Sequence, residues 1–557
     1  MIRLGAALAW LGALAGGPGG EPSTAPAPHD LVAKGAHGVV VTAEPHATAV
    51  GLEVLQNGGN AVDAAVAVAL ALAVTHPQAG NLGGGGFLLL RLADGTVHSI
   101  DFREAAPASA HADMYLDANG APDLDKVQFG VTAAGVPGSP AGLVHALERF
   151  GKKSLRELAQ PAIRLAREGF VVDQFLAGAL QDDRQDLARF PSTVRVFFRD
   201  GEPLRQGDLL VQQDLAATLE RFAADGVKGF YQGRTAELIV QQMQADGGFV
   251  TKEDLAAYAP REREVVRSSY RGHEVLSMGP PSSGGIALLQ MLQMLEGHDL
   301  RALGHGGSDY LHLLTEVMRR AYADRSRWLG DPDHYRVPVA GLLDRHYTHK
   351  LAGSIDLGKK SEVAPGVPPG AESDDTTHFS IVDAAGNAVA CTTTINSTFG
   401  AMVVVDGAGF LLNNEMDDFS AKPGVPNQFG LVGGKANAIA PHKRMLSSMT
   451  PTIVLQDGEL RYVLGAPGGG RIITGVLQVL LNLVDHQMDL DSAVRAPRIH
   501  HQWLPDVIRW EEFALPPDVR RGLAAKGHTF TPRPFGIAQV FAVAVTKDGT
   551  RLGVADH

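Results

Sequence analysis

Asp375-Thr376-Thr377-His378-Phe379-Ser380 stands where a segment that cannot pack runs into a strand. The run before it, Pro365 to Asp374, is too rich in Pro, Gly and polar residues to enter a core. The run after it, His378 to Asp383, reads as a short strand closed by the turn Ala384-Ala385-Gly386-Asn387, and a second strand over Ala388 to Asn396 completes a hairpin. A Thr entering a sheet from a loose linker suits a nucleophile released by self-cleavage. A break before Thr376 would give it an α-amine with a pKa of ~7.7–8.0 beside its own hydroxyl, a general base poised near working pH. The same residues also suit a plain strand start, where Thr is common, so the rest of the chain must decide.

Five other runs carry candidate chemistry. Thr392-Thr393-Thr394-Ile395-Asn396 ends the second strand of that hairpin, so Thr394 or Asn396 returns beside Thr376. Asn413-Asn414-Glu415-Met416-Asp417-Asp418-Phe419 gathers amides and carboxylates suited to an ammonium group or a divalent cation, or to a solvated turn. The Ca²⁺-loop spacing is absent, and no His cluster marks a transition-metal site. Ser447 and Ser448 precede a strand and either bind a carboxylate or shape a turn. Tyr462-Val463-Leu464-Gly465-Ala466-Pro467-Gly468-Gly469-Gly470-Arg471 reads as strand, glycine turn and helix without the Lys-Ser/Thr ending of a phosphate loop. The turn is either a plain strand-to-helix connection or an anion site, and its free N–H groups suit an oxyanion better than a phosphate. Arg103, at the end of an N-terminal hairpin, can hold a carboxylate in a bidentate fork or form a structural ion pair.

The elements that must position these residues follow from periodicity. Residues 45–75 read as two helices broken at Asn57-Gly58-Gly59-Asn60, the second apolar all round and therefore buried. A glycine loop over 80–86 leads into strands Phe87–Leu92 and Thr96–Phe102, joined at Asp94-Gly95. Ser139 is placed as the N-cap of a helix running to Phe150. From 154 to 350 the pattern is mainly helical. Beyond 376 it gives strands at 378–383, 388–396, 451–456, 461–464, 506–511 and 538–546, with helices at 471–485 and 516–526. Runs of helices and runs of strands predict an α+β layered fold with a largely antiparallel sheet.

The chain has 557 residues, 45% of them hydrophobic, enough for a large core. A net charge of −12 without a basic run argues against nucleic acid or an anionic membrane surface as partner. Arg3, the apolar stretch Leu4–Ala15 and the small, Pro-rich Gly16–Pro28 read as a secretory leader. The apolar stretch is too short to span a bilayer. The single Cys391 lies in an expected strand and reads as a buried structural thiol. An exported protein without disulfides points to the bacterial periplasm or exterior.

Taken together, these segments resemble the γ-glutamyltransferase (γ-glutamyltranspeptidase) family of N-terminal nucleophile hydrolases over about residues 37–550. The resemblance rests on Gly58-Gly59-Asn60-Ala61-Val62-Asp63-Ala64-Ala65, Gly80-Asn81-Leu82-Gly83-Gly84-Gly85-Gly86-Phe87, Asp375-Thr376-Thr377-His378, the 413–419 run, Ser447-Ser448 and the turn at 465–469. It implies a four-layer αββα sandwich formed by two fragments sharing one core. The parts are a leader over 1–28, a large subunit over 29–375 and a small subunit over 376–557. It also implies self-cleavage before Thr376 and transfer of a γ-glutamyl group from glutathione or similar amides to water, amino acids or dipeptides, with no metal or organic cofactor. In that pattern Thr376 matches the nucleophile, and Thr394 the residue that hydrogen-bonds it. Arg103, Ser447 and Ser448 match the groups that hold the α-carboxylate, Asn396, Glu415 and Asp418 those that hold the α-amine, and Gly468 and Gly469 the oxyanion donors. The run 423–434 resembles the family's lid loop, with Phe429 where Tyr is often found. The rival readings are a glutaryl or cephalosporin acylase, a poly-γ-glutamate hydrolase, and an uncleaved γ-glutamyl-binding protein.

Overall fold

The computed structural model describes residues 10–13, 31–366, 377–422, 424, 425, 428, 431 and 434–556. Thr376 and most of the leader lie outside them, as does Phe429 of the lid-like run. Among the described residues two seven-stranded sheets form the centre, and every pairing within them is antiparallel. In the first sheet Thr377–Val382 lies between Val39–Thr42 and Ala388–Thr394, and Gly85–Arg91 and Val97–Asp101 follow. The second runs through Val265–Tyr270, His273–Met278, Thr452–Gln456, Glu459–Gly465, Phe541–Val545, Arg551–Ala555 and Val32–Gly35. Each sheet draws strands from both sides of the 367–376 linker.

Alternation along Thr377–Val382 builds the layers. Phe379 and Ile381 join the apolar core that the first sheet shares with its helices, notably Pro45–Gln56 and Ala61–Thr75. Val382 faces a thin core shared with Ile453, Val463 and Val543 of the second sheet. The helices Gly284–Leu295, Ser308–Trp328 and Arg471–Val484 cover the far side of the second sheet. The order is helix, sheet, sheet, helix, the expected αββα sandwich. Polar groups cross its middle as well. Ser380 Oγ donates to the Phe541 carbonyl at 3.1 Å, and His378 bonds Thr392 Oγ1 at 2.9 Å. Burial drives the His378 pKa down to about 3, so its imidazole is neutral.

All of Ala61–Thr75 is buried, as its composition predicts, and Asn60 and Asp63 close a capping box at its start. Cys391 is buried too. Three expectations need correction. The stretch expected to be mainly helical contains strands Arg261–Arg263, Val265–Tyr270 and His273–Met278; their signal was the hairpin turn Arg271-Gly272, both at positive φ. The strand expected over 506–511 shrinks to Arg509–Trp510. Ser139 is not the cap but the first helical residue, with Gly138 before it. Its hydroxyl donates to Asn81 Oδ1 at 2.7 Å and ties the helix to the glycine loop.

That loop needs its glycines because the Thr393–Thr394 backbone passes against it. Asn81 Nδ2 donates to the Thr394 carbonyl at 2.8 Å, and a Cβ on Gly84 would sit 1.9 Å from the same oxygen. Gly84→Ala must therefore push the loop off the strand that carries Thr394. We expect a loss of about 3 kcal/mol or more, read as a lowered unfolding midpoint by circular dichroism. An unchanged midpoint would show that the loop is not packed this way.

Candidate active site

Arg103 follows the end of the Val97–Asp101 strand and is buried together with Glu104. Its Nη1 lies 2.6 Å from Glu415 and 3.5 Å from Glu104, and its Nη2 bonds Asp418 Oδ2. One guanidinium thus faces three carboxylates. Burial works against the charge of Arg103, but Glu415, Asp418 and Glu104 outweigh it and hold its pKa above the ordinary value. The acids are left in excess. Burial first, and then Glu104 and Asp418, push Glu415 well up against the pull of Arg103. The ion-pair alternative for Arg103 is therefore realised.

The surrounding polar atoms show what is missing. Glu415 Oε1 and Asn396 Oδ1 are buried acceptors without a donor among the described residues. Asn396 sits in the left-handed region at φ 74°, its N–H bonded to Thr394 Oγ1 at 2.7 Å and its Nδ2 to the Asn414 carbonyl at 3.0 Å. The two serines have the opposite deficit. Ser447 Oγ accepts from the Met449 N–H at 3.1 Å, and Ser448 Oγ accepts from Arg325 Nη2. Arg has no acceptor, so Ser448 keeps its O–H for another partner. Neither hydroxyl proton has an acceptor among the described residues. Acceptors without donors beside donors without acceptors are complementary to an ammonium and a carboxylate on one small molecule.

Short links hold these pieces in register. Arg103 Nε donates to the Met445 carbonyl at 3.2 Å. Asn437 spans two runs, donating from Nδ2 to the Asp418 carbonyl at 2.6 Å and accepting from the Leu446 N–H at 3.1 Å. Gly468 and Gly469 lie at φ 129° and 64°, between the strand Glu459–Gly465 and the helix Arg471–Val484. Neither of their amides has an acceptor among the described residues, so both N–H groups are open to an anion. Tyr322 Oη donates to the next carbonyl, Gly470. Thr377, paired with Thr393, keeps a buried hydroxyl without a partner among the described residues.

Among the sequence-predicted residues, Arg103 is in direct contact with Glu415 and Asp418, and Thr394 is bonded to Asn396. Arg325 holds Ser448 directly and Ser447 through Ser283, and Tyr322 of the same helix bonds Gly470, the residue after Gly468 and Gly469. Sequence reasoning missed Arg325, Tyr322, Glu104 and Asn437. Arg325 had a signal: it continues the buried stripe Leu311, Leu314, Met318 and Tyr322, where a charge is out of place. Among the described residues His312, Glu316 and His528 form a cluster able to hold a metal by geometry alone. Its donors are already spent. Glu316 pairs with Arg319 and Arg320, each at 2.7 Å, and His312 bonds His528 at 2.7 Å and the Asp356 carbonyl at 2.8 Å.

Two helix layers around two antiparallel sheets, with Thr377–Val382 as an inner strand of the first, form the αββα fold of the N-terminal nucleophile hydrolases. Cephalosporin acylase from Bacillus halodurans superimposes with a TM-score of 0.84 at 26% identity, covering 97% of this chain and 96% of that one. The chain belongs to the gamma-glutamyltranspeptidase family, whose profile matches residues 47–557. It is 49% identical over 532 residues to the glutathione hydrolase proenzyme of Escherichia coli (strain K12), covering 95% of this chain and 91% of that protein. It is also 41% identical over 530 residues to the acylase ACY 1 proenzyme of Pseudomonas sp. (strain V22), covering 94% and 92%.

The acid excess predicts a pH dependence. Burial, then the Asp418 charge, raise the Asp417 pKa from 3.8 to about 8. The folded protein therefore keeps a proton that the unfolded chain has lost. That stabilisation is complete below about pH 4 and disappears as pH rises through about 8. Thermal unfolding should show Tm falling from pH 5 to pH 8, and Asp417→Asn should make the fall smaller. An equal fall in the variant would remove Asp417 as a source.

Proposed function

We propose that the chain is a precursor that cleaves itself before Thr376 and then acts as a γ-glutamyltransferase and glutathione hydrolase. The acyl group moves from glutathione and related γ-glutamyl amides to water, amino acids or dipeptides. The observation that carries this reading is the paired deficit in the pocket: Glu415 Oε1 and Asn396 Oδ1 lack donors, while Ser447 and Ser448 hold unused O–H groups. An α-amino-acid head answers both at once, and a γ-glutamyl group carries one.

Each group then has a task. The hairpin reading of the sequence expects Thr376, one residue before the Thr377–Thr393 pair, beside Thr394. There the Thr376 hydroxyl attacks the γ-carbonyl and its proton passes to the new α-amine. The negative oxygen of the tetrahedral intermediate is held by the Gly468 and Gly469 N–H groups. The leaving amine takes the proton, and an acyl ester remains on Thr376. Water or an incoming amine attacks that ester and returns the hydroxyl. Asp418, Glu415 and Asn396 hold the donor's ammonium. Arg103, Ser447 and Ser448 hold its carboxylate, with Arg103 exchanging an acid partner for the ligand. The leader over 1–28 directs export to the periplasm or exterior and is removed. The parts are a large subunit over 29–375 and a small one over 376–557. Among the described residues no helix is long and apolar enough to cross a membrane.

The acylase reading is kept alive by relatives with that name, and the amine pocket separates the two. A charged hydrogen bond contributes about 1.5–3 kcal/mol, so Asp418→Asn should lose about 10–100-fold in kcat/KM for γ-glutamyl-p-nitroanilide. A glutaryl donor, which has no amine, should lose much less. Both substrates are assayed on the wild type and the variant. Equal losses on the two, or a wild type that prefers the glutaryl donor, would favour the acylase.

A further inference from the structure

Arg325 is 1% exposed and has no carboxylate partner among the described residues. Most other buried guanidiniums among the described residues are matched by acids: Arg103 by Glu415 and Asp418, Arg319 and Arg320 by Glu316, Arg444 by Asp101, and Arg498 by Glu511 and Asp556; Arg91 and Arg551 bond main-chain carbonyls. Arg325 instead donates from Nε to Ser283 Oγ at 2.9 Å and from Nη2 to Ser448 Oγ, while its guanidinium lies 5.8 Å from the Tyr322 ring centre. Hydroxyls and a ring do not neutralise a cation. A buried charge without a counter-charge is costly, and the structure retains this one beside two O–H groups that have no acceptor.

Its bonds also set the shape of the serine turn. Ser283 passes its own proton on to the Ser447 carbonyl at 2.7 Å, and the Ser283 N–H reaches the same oxygen at 2.7 Å. Arg325 therefore fixes the Ser447 main chain through Ser283 and the Ser448 hydroxyl directly. One turn earlier on the same helix, Tyr322 holds the Gly470 carbonyl that follows the Gly468-Gly469 turn. A single rigid helix thus spaces the carboxylate donors from the oxyanion donors.

We propose that Arg325 is the positioning residue of the carboxylate subsite. Acting through Ser448 and Ser283, it turns the serine hydroxyls outward as donors and supplies the positive charge that a bound carboxylate needs. Arg103 is paired with Glu415 and Asp418 and does not have to meet that charge alone. The inference rests on the reading of the site as a γ-glutamyl pocket.

The test compares two donors on the mature protein: γ-glutamyl-p-nitroanilide, and 4-aminobutyryl-p-nitroanilide, which keeps the amine and lacks the carboxylate. Arg325→Gln should raise KM for the first about 10–100-fold and for the second less than about 3-fold. Arg325→Lys keeps the charge but loses the two-point fork, and should fall between the wild type and Gln. It also serves as the readout if the Gln variant does not mature. Equal changes for both donors would make Arg325 a packing residue and overturn the proposal, as would failure of both variants to mature. A wild type that cleaves neither donor would overturn the γ-glutamyl reading itself, and this proposal with it.

Discussion

The strand Thr377–Val382 is hydrogen-bonded on both edges, to Val39–Thr42 on one side and to Ala388–Thr394 on the other. Much else depends on that central position. A strand beginning directly after a linker is usually free to fray, but this one is locked inside a sheet and covered on both faces. Its first described residue is therefore held against Thr393, and the Gly80–Gly86 loop is pressed onto the Thr394 backbone. A cut in the linker changes none of these contacts. The two sheets each contain strands from both sides of it, so the pieces share cores that neither could close alone.

Within this frame the pocket is built from charge that the protein does not balance internally. Three acids crowd Arg103, while Arg325 lies buried with hydroxyls for company. The excess negative and excess positive regions are joined by the Arg103–Met445 and Asn437 links, so a zwitterionic head placed across them would satisfy both. An uncharged or singly charged ligand would leave one side in deficit. Burial first, and then the neighbouring acids, raise the carboxyl pKa values of Glu415 and Asp417.

Much of this was legible from residue types. The apolar run Ala61–Thr75 had to be buried, and the Asp94-Gly95 hairpin and the Gly465–Arg471 turn announced themselves through glycine placement. The acidic run at 413–419 and the Ser447-Ser448 pair stood out by residue type, each with a plain turn as its alternative. The strands Val265–Tyr270 and His273–Met278 did not stand out, because they are embedded in helices and their turn uses Arg271 at positive φ. Arg325, Tyr322 and Glu104 were hidden for another reason. The importance of each lies in what a distant segment brings to it: Ser448 is 123 residues from Arg325 along the chain. Spacing within a motif reveals local chemistry, whereas contacts across layers require the fold.

The central claim is that one chain becomes two pieces at Thr376 without coming apart. It is tested most directly by purifying the protein, recording its size in native buffer, and then running a denaturing gel with N-terminal sequencing of the smaller band. The account predicts a single native particle that separates under denaturant into two bands, the smaller spanning residues 376–557 and beginning Thr-Thr-His-Phe, with γ-glutamyl transfer appearing as the precursor band disappears. A smaller band that begins at another residue, or full transfer activity from an uncut chain, would contradict it.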